Sequence, residues 1–381
     1  MVNSVILDKF KCFAKETEIP LSDVTIMYGK NGRGKSSVSQ SLLLMAQSMR
    51  KANELNELVV NGELVNLGQF EELLYNTVGS SFTVGVKAGS EQLFAEFERV
   101  EGHSTSGRIS RLSVNGVERM DTISSSHDGG SDEDDSFSGV ASTSDVKILQ
   151  DLKNCIYVSA DRLGPQNGQK RIYTTNKIQL DPLGSNVIQV ISERGVEFQH
   201  SLQQALSEIM SGAHLSVSGS DSDYLELKLN SADGDASFKP VNVGYGYSYV
   251  LPVVVAAMIA EPGGILVVEN PEAHLHPGAQ SRLTRFLIRQ AVSNGYQLII
   301  ESHSDHVVNG LRIAAKEGEI KSSQCLIDYF YSEGDATAVR AITCDKNGTL
   351  SEYPDDFMDE WTLQLLKLGH HCLSVVLRRP T

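Results

Sequence analysis

Apolar runs of strand length alternate with helical patterns along most of the chain. Residues 24–28 are largely apolar and end at Gly29, as a buried parallel strand does. The segment from Ser36 to about residue 53 contains no Gly or Pro and has apolar residues near helical spacing, which predicts a helix. Residues 265–268 and 297–300 are two further runs with the length of buried strands. Because strands alternate with helices, the pattern predicts an α/β fold with a doubly wound core.

The second half of the chain contains further elements of both kinds. A stop signal, Asn294-Gly295, ends one of the predicted helices. Helices are predicted at residues 202–210, 247–260, 279–293, from Asp305 onward and near 361–368, and strands at residues 224–229, 326–331 and 338–344.

The stretch from residue 58 to residue 120 has a different, alternating pattern. Residues 82–86 and 93–97 alternate between apolar and polar positions, as strands with one buried face do. Asn61-Gly62 and Asn115-Gly116 each lie between apolar runs, which is a strong signal for a β-hairpin. We therefore predict an antiparallel sheet that is inserted into the core or lies beside it.

The 381-residue chain is acidic, with 33 Lys and Arg against 48 Asp and Glu and a formal net charge of −15. This balance disfavours the coating of nucleic acid by bulk charge, although a local basic patch can still bind it. Residues 124–145 are rich in Ser, Gly and Asp and nearly free of aliphatic side chains. Such a segment buries too little apolar surface to offset its ordering entropy, so we expect a disordered acidic insertion.

The sequence indicates a cytoplasmic protein without a membrane partner. No apolar run approaches the ~18–20 residues of a membrane span. The N-terminus lacks the charged-then-apolar order of a signal peptide. The five cysteines are scattered without a C-x-x-C pair, which argues against a disulfide framework or a zinc knuckle and favours a reducing compartment.

The sharpest chemical signal is the segment GKNGRGKS, which begins at Gly29. It fits G-x-x-x-x-G-K-[ST] and lies between a predicted strand and a predicted helix, which is the context of a phosphate-binding loop. Lys35 would reach the β- and γ-phosphates of ATP, and the Ser36 hydroxyl would hold Mg²⁺. The predicted nucleotide-binding residues here are Gly29, Lys30, Asn31, Gly32, Arg33, Gly34, Lys35, Ser36 and Ser37.

Two later strands supply candidate catalytic residues at their carboxyl ends. Glu269 follows the run 265–268, where open α/β sheets bind ligands, and would complete the Mg²⁺ shell with Ser36. His303 follows the run 297–300 and could hydrogen-bond a γ-phosphate or the attacking water. Since residues 35 and 269 are far apart in sequence, a large insertion must separate the two parts of the site.

These motifs carry a family resemblance. GKNGRGKSS, ILVVENPEAHLHP and LIIESHSDH resemble the ABC-type, AAA-family ATPases of the SMC/RecF/OLD branch. The segments DKFKCF, YVSADRLGP, NVGYGYSYVLP and YPDDFMDEW are similar to a bacterial group that has a C-terminal domain of unknown function. Antiphage-defence ATPases such as that of the Septu system are similar in kind. The resemblance implies a P-loop NTPase whose ABC-like core has a mixed or parallel sheet, an antiparallel β subdomain and an inserted helical subdomain.

The resemblance also assigns domains. Residues 1–330 would form the ABC-type ATPase domain, and residues 331–381 a small C-terminal domain. Within the first, residues 58–120 would be the antiparallel β subdomain, 124–145 the acidic insertion and 146–262 the inserted or signature subdomain.

By the same resemblance, two protomers would bind head to tail around two ATP molecules. Glu269 takes the Walker B role and His303 the switch-histidine role. Gly244 and Gly246 lie where the ABC signature would contact the partner's ATP, although the usual signature serine is missing and a glycine-kinked helix start is the alternative. Gln69 is a candidate Q-loop residue or a strand end.

One departure from the ABC pattern concerns the general base. The Glu that normally follows the Walker B acid is Asn270 here, and an amide can orient water but cannot take its proton. Two hypotheses follow. Either Glu272 supplies the carboxylate, or hydrolysis is slow and ATP acts mainly to hold the dimer together.

Several other residues have competing interpretations. Arg162 could contact phosphate or an interface, or form an ion pair with Asp161 or another acid. Phe10 and Phe13 could flank adenine, but core packing is the stronger expectation. His274, His276 and His306 could suggest a metal, although interface or packing roles are favoured. The acidic residues Asp355, Asp356, Asp359 and Glu360 could suggest a two-metal nuclease, but a solvated helix start explains them more simply.

At the level of whole functions, the resemblance implies a nucleotide switch that regulates a partner effector, such as an HNH nuclease, in prokaryotic antiphage defence. The alternatives are a RecF-type DNA repair ATPase and an OLD-type ATPase-nuclease, and nucleic acid is a candidate partner of each. Only about 80 residues follow His303, which is short for the Toprim domain of the OLD type. A transporter subunit and a kinase explain fewer of the motifs.

Overall fold

A computed structural model describes residues 1–50, 54–119, 121–122, 137–138, 141–142, 146–175, 178–219, 222–230, 236–334, 336–358 and 364. The predicted acidic insertion at 124–145 lies almost entirely outside these residues, and so does the helix predicted near 361–368. Of the helices that the structure describes, none has both the length and the apolar character needed to cross a membrane.

The helices are α1 (Lys35–Arg50), α2 (Lys147–Lys153), α3 (Val187–Glu193), α4 (Gly195–Met210), α5 (Tyr245–Ile259), α6 (Pro277–Asn294) and α7 (Asp305–Lys316). The strands are β1 (Ser4–Asp8), β2 (Thr17–Pro20), β3 (Val24–Gly29), β4 (Glu54–Leu55), β5 (Glu57–Val59), β6 (Ser81–Ala88), β7 (Glu91–Val100), β8 (His103–Val114), β9 (Val117–Glu118), β10 (Asp121–Thr122), β11 (Phe137–Ser138), β12 (Ala141–Ser142), β13 (Cys155–Val158), β14 (Gly168–Lys170), β15 (His214–Ser218), β16 (Tyr224–Asn230), β17 (Ile265–Glu269), β18 (Gln297–Ser302), β19 (Cys325–Glu333) and β20 (Ala336–Ile342).

A six-stranded sheet forms the centre of the molecule, in the order β13-β17-β18-β3-β19-β20. Its first five strands are parallel, and β20 closes the sheet antiparallel to β19. The parallel strands are connected through helices, as the alternating pattern predicts. Their carboxyl ends therefore meet at one edge, which is where the phosphate-loop motif and the two strand-end motifs come together.

Each face of this sheet is covered by a different hydrophobic core. Side chains alternate between the two faces along a strand. In β3, Ile26 and Tyr28 join the core formed with α3 to α7, whereas Met27 joins the core formed with α1, α2 and the N-terminal sheet. Leu266 and Val267 divide in the same way in β17. The strands that carry the site therefore pack against a hydrophobic core on each face of the sheet.

An antiparallel sheet lies beside the core, in the order β2-β1-β6-β7-β8-β5, with β9 paired to β8. The hairpin predicted at Asn115-Gly116 joins β8 to β9, and both residues have positive φ, 52° and 77°. At Asn61-Gly62 the chain also reverses direction, and Asn61 and Asn66 form an isolated antiparallel bridge, but the described strands do not form a full hairpin there. Strand β5 pairs with β8 instead, and the Asn61 side chain bonds to the backbone of Gly68, which closes a local loop.

Two of the predicted domain limits cut through the central sheet. The segment 146–262 contains β13, which is an edge strand of that sheet. The limit at residue 330 falls inside β19, so the chain that follows continues the sheet through β20. The predicted helical insertion also contains a small sheet of order β14-β16-β15.

Candidate functional site

The phosphate-loop motif forms a tight turn between β3 and α1. Gly29 has a φ of +142°, and a Cβ at this position would lie 2.3 Å from the carbonyl oxygen of Phe330. The Lys35 side chain is 3% exposed, and its ammonium donates to the carbonyl oxygens of Gly29 and Lys30, both at 2.9 Å. Burial lowers the pKa of Lys35, while the nearby charges of Glu301 and Glu272 raise it. The loop thus holds a buried cation directly beneath the turn.

An open cavity of ≈ 350 Å³ lies over this loop at the carboxyl edge of the parallel strands. It brings together most of the predicted loop residues with Glu269, Asn270 and His303, although Lys35 and Glu269 are far apart in sequence. The lining residues are Lys11, Cys12, Asn31, Gly32, Arg33, Gly34, Lys35, Ser36, Ser37, Ala160, Glu269, Asn270, Glu301 and His303. A phosphate-sized anion on the loop would therefore face the carboxylates of Glu269 and Glu301, which we call the carboxylate wall.

Glu301 is the residue of this wall that the sequence reasoning missed. It lies at the end of β18 and is 6% exposed. The Ser36 hydroxyl donates to its Oε1 at 2.7 Å. Burial, followed by the charge of Glu269, raises the pKa of Glu301 to about 7. Its place two residues before His303, on a strand that ends at the ligand edge, was the available signal.

Glu269 lines the same cavity but is held differently. Its carboxylate accepts a hydrogen bond from the Ala160 N–H at 3.3 Å and another from the Tyr157 hydroxyl. Burial raises the pKa of Glu269, and these two hydrogen bonds oppose the rise. Glu269 therefore ties β17 to the loop that follows β13.

Arg162 links the loop after β13 to the end of β17. Its guanidinium is 2% exposed and donates to the carbonyl oxygens of Ser159, Glu269 and Asn270, each at 2.7 Å. Burial lowers the pKa of Arg162 to about 10. Its direct hydrogen bonds are thus made to backbone carbonyl groups, which neither sequence-based interpretation anticipated.

Asn270 and Glu272 occupy distinct positions after β17. Asn270 lines the cavity, has a φ of 44° and donates its backbone N–H to the Glu301 carbonyl at 2.8 Å. Glu272 accepts from the Ser302 hydroxyl at 2.8 Å and from the His303 N–H at 3.1 Å. Glu272 is not among the described residues that line the cavity, so in this conformation it braces the end of β18.

His303 leaves the tip of β18 and reaches the phosphate loop. Its ring hydrogen-bonds to the backbone of Gly29. Burial, followed by the charge of Lys35, lowers the pKa of His303. A largely neutral imidazole therefore lies between the loop and the carboxylate wall, where it can donate or accept a hydrogen bond.

Other candidate residues lie elsewhere. Gly244 and Gly246 begin α5, and neither is among the described residues that line the loop cavity of the same chain. Gln69 precedes a short 3₁₀ turn at Phe70–Leu73. Phe10 and Phe13 are buried in the core, as expected.

The described members of the histidine and acidic clusters have other contacts and do not come together as a metal site. His274 packs against Tyr249, with ring centroids 4.3 Å apart, and His276 caps α6. Asp356 pairs with Lys30 at 2.7 Å, while Asp359 and Glu360 lie outside the described residues. Across the described ranges, no group of three or more His, Cys, Asp or Glu side chains is arranged to hold a metal ion.

The residues present nevertheless fit a magnesium–nucleotide group. Mg²⁺ at phosphate sites takes one or two protein ligands, and phosphate and water oxygens complete its shell, so a cage made by protein alone is not needed. Glu301 Oε2 is buried and has no hydrogen-bond partner within the described part of the chain. That free oxygen, the Ser36 hydroxyl and the Glu269 carboxylate are oxygen ligands that a Mg²⁺ ion could use, and the Lys35 ammonium can contact the phosphates.

Solved structures with a related fold are heads of SMC proteins. The SMC head bound to the C-winged helix domain of ScpA matches at a TM-score of 0.52 and 13% identity, covering 91% of this chain and 98% of that one. The Pyrococcus furiosus SMC head with an extended coiled coil, bound to the C-terminal domain of ScpA, matches at a TM-score of 0.52 and 11% identity. This match covers 97% of this chain and 99% of that one. The fold is that of a P-loop NTPase with an ABC-like core. No curated protein matches the chain.

Family models account for most of the sequence. The model for a protein of unknown function, DUF3696, matches residues 320–368. A second model matches residues 24–309, which include the phosphate loop, Glu269 and His303. Since this second match covers more than two thirds of the chain, the protein belongs to the family described as "AAA domain, putative AbiEii toxin, Type IV TA system".

Proposed function

We propose that this protein binds and slowly hydrolyses ATP with Mg²⁺, dimerises head to tail around the nucleotides, and thereby regulates a partner effector, a nuclease, in antiphage defence. The observation that carries the ATPase proposal is the single cavity in which Lys35, Ser36 and the carboxylates of Glu269 and Glu301 meet. A buried lysine under a glycine-rich loop at a helix start is suited to bind a triphosphate.

The roles of the residues follow from their positions. Lys35 would bind the β- and γ-phosphates, and Ser36 with Glu269 would hold the cation, which neutralises phosphate charge when bound. His303 would contact the γ-phosphate or orient the attacking water. Asn270 can orient that water but cannot accept its proton, which is the physical reason for slow turnover.

The dimer and the partner are supported by the relatives. Gly244 and Gly246 start α5 outside the cavity of their own chain, which is consistent with contact to ATP bound by a second protomer. The two SMC heads are in complex with domains of ScpA, so this fold can carry a partner protein. The family description names a toxin and a Type IV TA system, which supports a role in defence.

ATP-dependent dimerisation is the direct test. The mass of the full chain in solution, measured by light scattering after gel filtration, should double with Mg²⁺ and ATP, and phosphate release should be slow. Lys35→Ala should abolish both effects, and Lys316→Ala, on the last turn of α7, is the control. A Lys35→Ala protein that binds ATP as tightly as the wild type would refute the proposal. Metal-dependent DNA cleavage by the pure chain would indicate an OLD-type nuclease instead.

The general base has its own test. In single-turnover hydrolysis, Asn270→Glu should accelerate phosphate release, because it places a carboxylate where water is oriented. Glu272→Gln should slow it if Glu272 is the base, and an unchanged rate removes Glu272 from that role.

A further inference from the structure

We propose that Cys325 and Cys344 are a site of reversible oxidation, at which a small peroxide closes a disulfide between β19 and the chain that follows β20. The proposal is independent of the nucleotide site. The two cysteines do not form a C-x-x-C pair in the sequence, and only the hairpin of β19 and β20 brings them together.

The register of this hairpin places the two cysteines opposite each other. Ile327 of β19 is paired with Ile342 of β20 in an antiparallel ladder. The same register, continued by two residues, puts Cys325 opposite Cys344. Residues directly opposite each other in an antiparallel pair have Cα atoms about 4.5–5.5 Å apart. A disulfide spans Cα separations of about 4.4–6.8 Å, so the existing backbone can accommodate one.

The two side chains also lie on the same face of the hairpin. Side chains alternate between faces along a strand, so Cys325 shares a face with Ile327, and Cys344 shares a face with Ile342. All four residues are buried in the core formed with α3 to α7. Both cysteines are free thiols, and they are in hydrogen-bonding contact with each other.

The pair lies at the end of the hairpin, next to solvent-exposed chain. Residues 345–347, directly after Cys344, are exposed, and Cys325 follows the short 3₁₀ turn Ser322–Gln324. The cysteines themselves are only 3% and 1% exposed. Local opening costs less at such ends than in the middle of a core strand. A small oxidant would therefore reach the thiols through local opening of this end.

The contact between the thiols indicates the order of the reaction. Their hydrogen bond lowers the pKa of Cys344 and raises that of Cys325, so Cys344 loses its proton more readily. The Cys344 thiolate would attack one oxygen of hydrogen peroxide, and the O–O bond would break to give a sulfenic acid and hydroxide. The Cys325 sulfur would then attack the Cys344 sulfur and break its S–O bond, which releases a second hydroxide. The two thiol protons convert both hydroxides to water, so two thiols are oxidised and one peroxide is reduced.

The disulfide would fasten one edge of the central sheet. Strand β20 is an edge strand, and the chain beyond it returns to the core, where Cys344 forms a bridge with Leu350. Leu350 and Phe357 are buried in the same core as the two cysteines. A covalent bond at Cys344 would therefore hold β20 and the segment after it against β19.

Peptide mapping of the full chain is the direct test. Trypsin cleaves after Lys321, Arg340 and Lys346, so the two cysteines fall on separate peptides, 322–340 and 341–346. The folded protein is treated with hydrogen peroxide, and the remaining thiols are blocked with N-ethylmaleimide. Mass spectrometry should then find these two peptides joined, and dithiothreitol should separate them. The melting temperature should rise by several degrees on oxidation, because the bond restricts the unfolded chain.

Single variants test the assigned order. Cys325→Ser should stop at a sulfenic acid on Cys344, which dimedone labels, whereas Cys344→Ser should leave Cys325 reactive toward N-ethylmaleimide. Cys155→Ser removes another buried cysteine and is the matched control, in which the cross-link should form as in the wild type.

The wild type alone can overturn the proposal, even if a variant fails to fold. Peptides 322–340 and 341–346 that stay separate after peroxide treatment would refute it, whether their cysteines remain thiols or become sulfinic acids. A cross-link from either residue to a different cysteine would refute it as well. Dimedone labelling of Cys325 in the Cys344→Ser variant, as strong as that of Cys344 in Cys325→Ser, would overturn the assigned order.

Discussion

The two halves of the candidate site are built in opposite ways. The loop half is a short contiguous segment, and its cation, Lys35, is bonded to carbonyl groups of the same loop. The strand-tip half collects the carboxylates of Glu269 and Glu301 from the ends of two strands and that of Glu272 from the turn after β17. The pKa of each is raised, with burial as the largest cause. The hydrogen bonds of Lys35 form within one local segment, whereas the carboxylates come together only after the sheet has formed.

This difference has an energetic consequence. The loop half makes the hydrogen bonds of its charge locally, although Glu301 and Glu272 also favour that charge, whereas the strand-tip half concentrates like charges away from water, which is unfavourable without a compensating cation. Its geometry is maintained by the buried guanidinium of Arg162 and by the Ser36–Glu301 hydrogen bond between the halves. The strand-tip half should therefore be the more sensitive to loss of a single supporting residue.

Arg162→Ala tests that sensitivity and should have the largest effect. It removes three hydrogen bonds from a buried cation and leaves the carbonyl groups of Ser159, Glu269 and Asn270 without this donor. We expect the free energy of unfolding to fall by roughly 3–5 kcal/mol, since such bonds to charged groups contribute about 1.5–3 kcal/mol each and are not additive. Urea unfolding measures this loss. Arg162→Lys should recover only part of it, because one ammonium cannot match the planar fork. A loss below about 0.5 kcal/mol, the range of ordinary surface substitutions, would contradict the bracing role.

Gly29→Ala breaks the loop half and should have the second largest effect. The new Cβ would lie 2.3 Å from the Phe330 carbonyl oxygen at a φ of +142°. Backbone strain of this kind costs on the order of 1–3 kcal/mol, and β19 must shift in addition. Thermal unfolding should show a lower melting temperature, and ATP binding should be weakened. Gly32→Ala, where a Cβ meets no atom within 4 Å, is the matched control for positive φ alone. Equal stability of the two variants would exclude the steric argument.

The loop half could be predicted from sequence because its signals are local. The apolar run before Gly29 and the helical pattern after Ser36 define the strand and helix, and β3 and α1 confirm both. Helix α1 is described as far as Arg50, and the last residues of the predicted helix, 51–53, lie outside the described residues. The strand-turn at Asn115 was equally local and is confirmed.

The strand-tip half could be predicted only in part because its contacts depend on strand order. Glu269 and His303 follow apolar runs and were identified, but nothing in the sequence shows that β18 lies between β3 and β17. Without that order, Glu301 cannot be placed beside Ser36. The contacts of Arg162 with three carbonyl groups are likewise tertiary, and a pattern of residue types does not encode them.

Asp328→Asn sharpens the comparison with a buried carboxylate outside the cavity. Asp328 is fully buried in β19, neither side-chain oxygen has a partner among the described residues, and burial raises its pKa well above the ordinary value. The folded protein thus keeps a proton that the unfolded chain releases above about pH 4. Its contribution to stability is full at low pH and declines as pH rises, by up to ~1.4 kcal/mol per pH unit, until the folded pKa is reached.

Asp328→Asn removes this decline, so its advantage over the wild type should grow between pH 5 and pH 8 in urea unfolding. Asp355→Asn, at an exposed position, is the control and should show no such trend. A constant difference between wild type and Asp328→Asn across this range would show that Asp328 ionises alike in both states.

The smallest effect is expected at the exposed rim of the loop half, where Lys30 pairs with Asp356 at 2.7 Å. The two side chains are 63% and 56% exposed, so water and salt screen their attraction. In a double-mutant cycle of Lys30→Ala and Asp356→Ala, the changes in melting temperature of the two single variants should therefore add up to that of the double variant within error. Added salt should shift the melting temperatures of the wild type and all three variants by the same amount. Measurable coupling would mean that the segment after β20 holds the loop in place. The contrast between a self-contained loop and an assembled carboxylate wall would then no longer hold, because both halves would depend on distant parts of the chain.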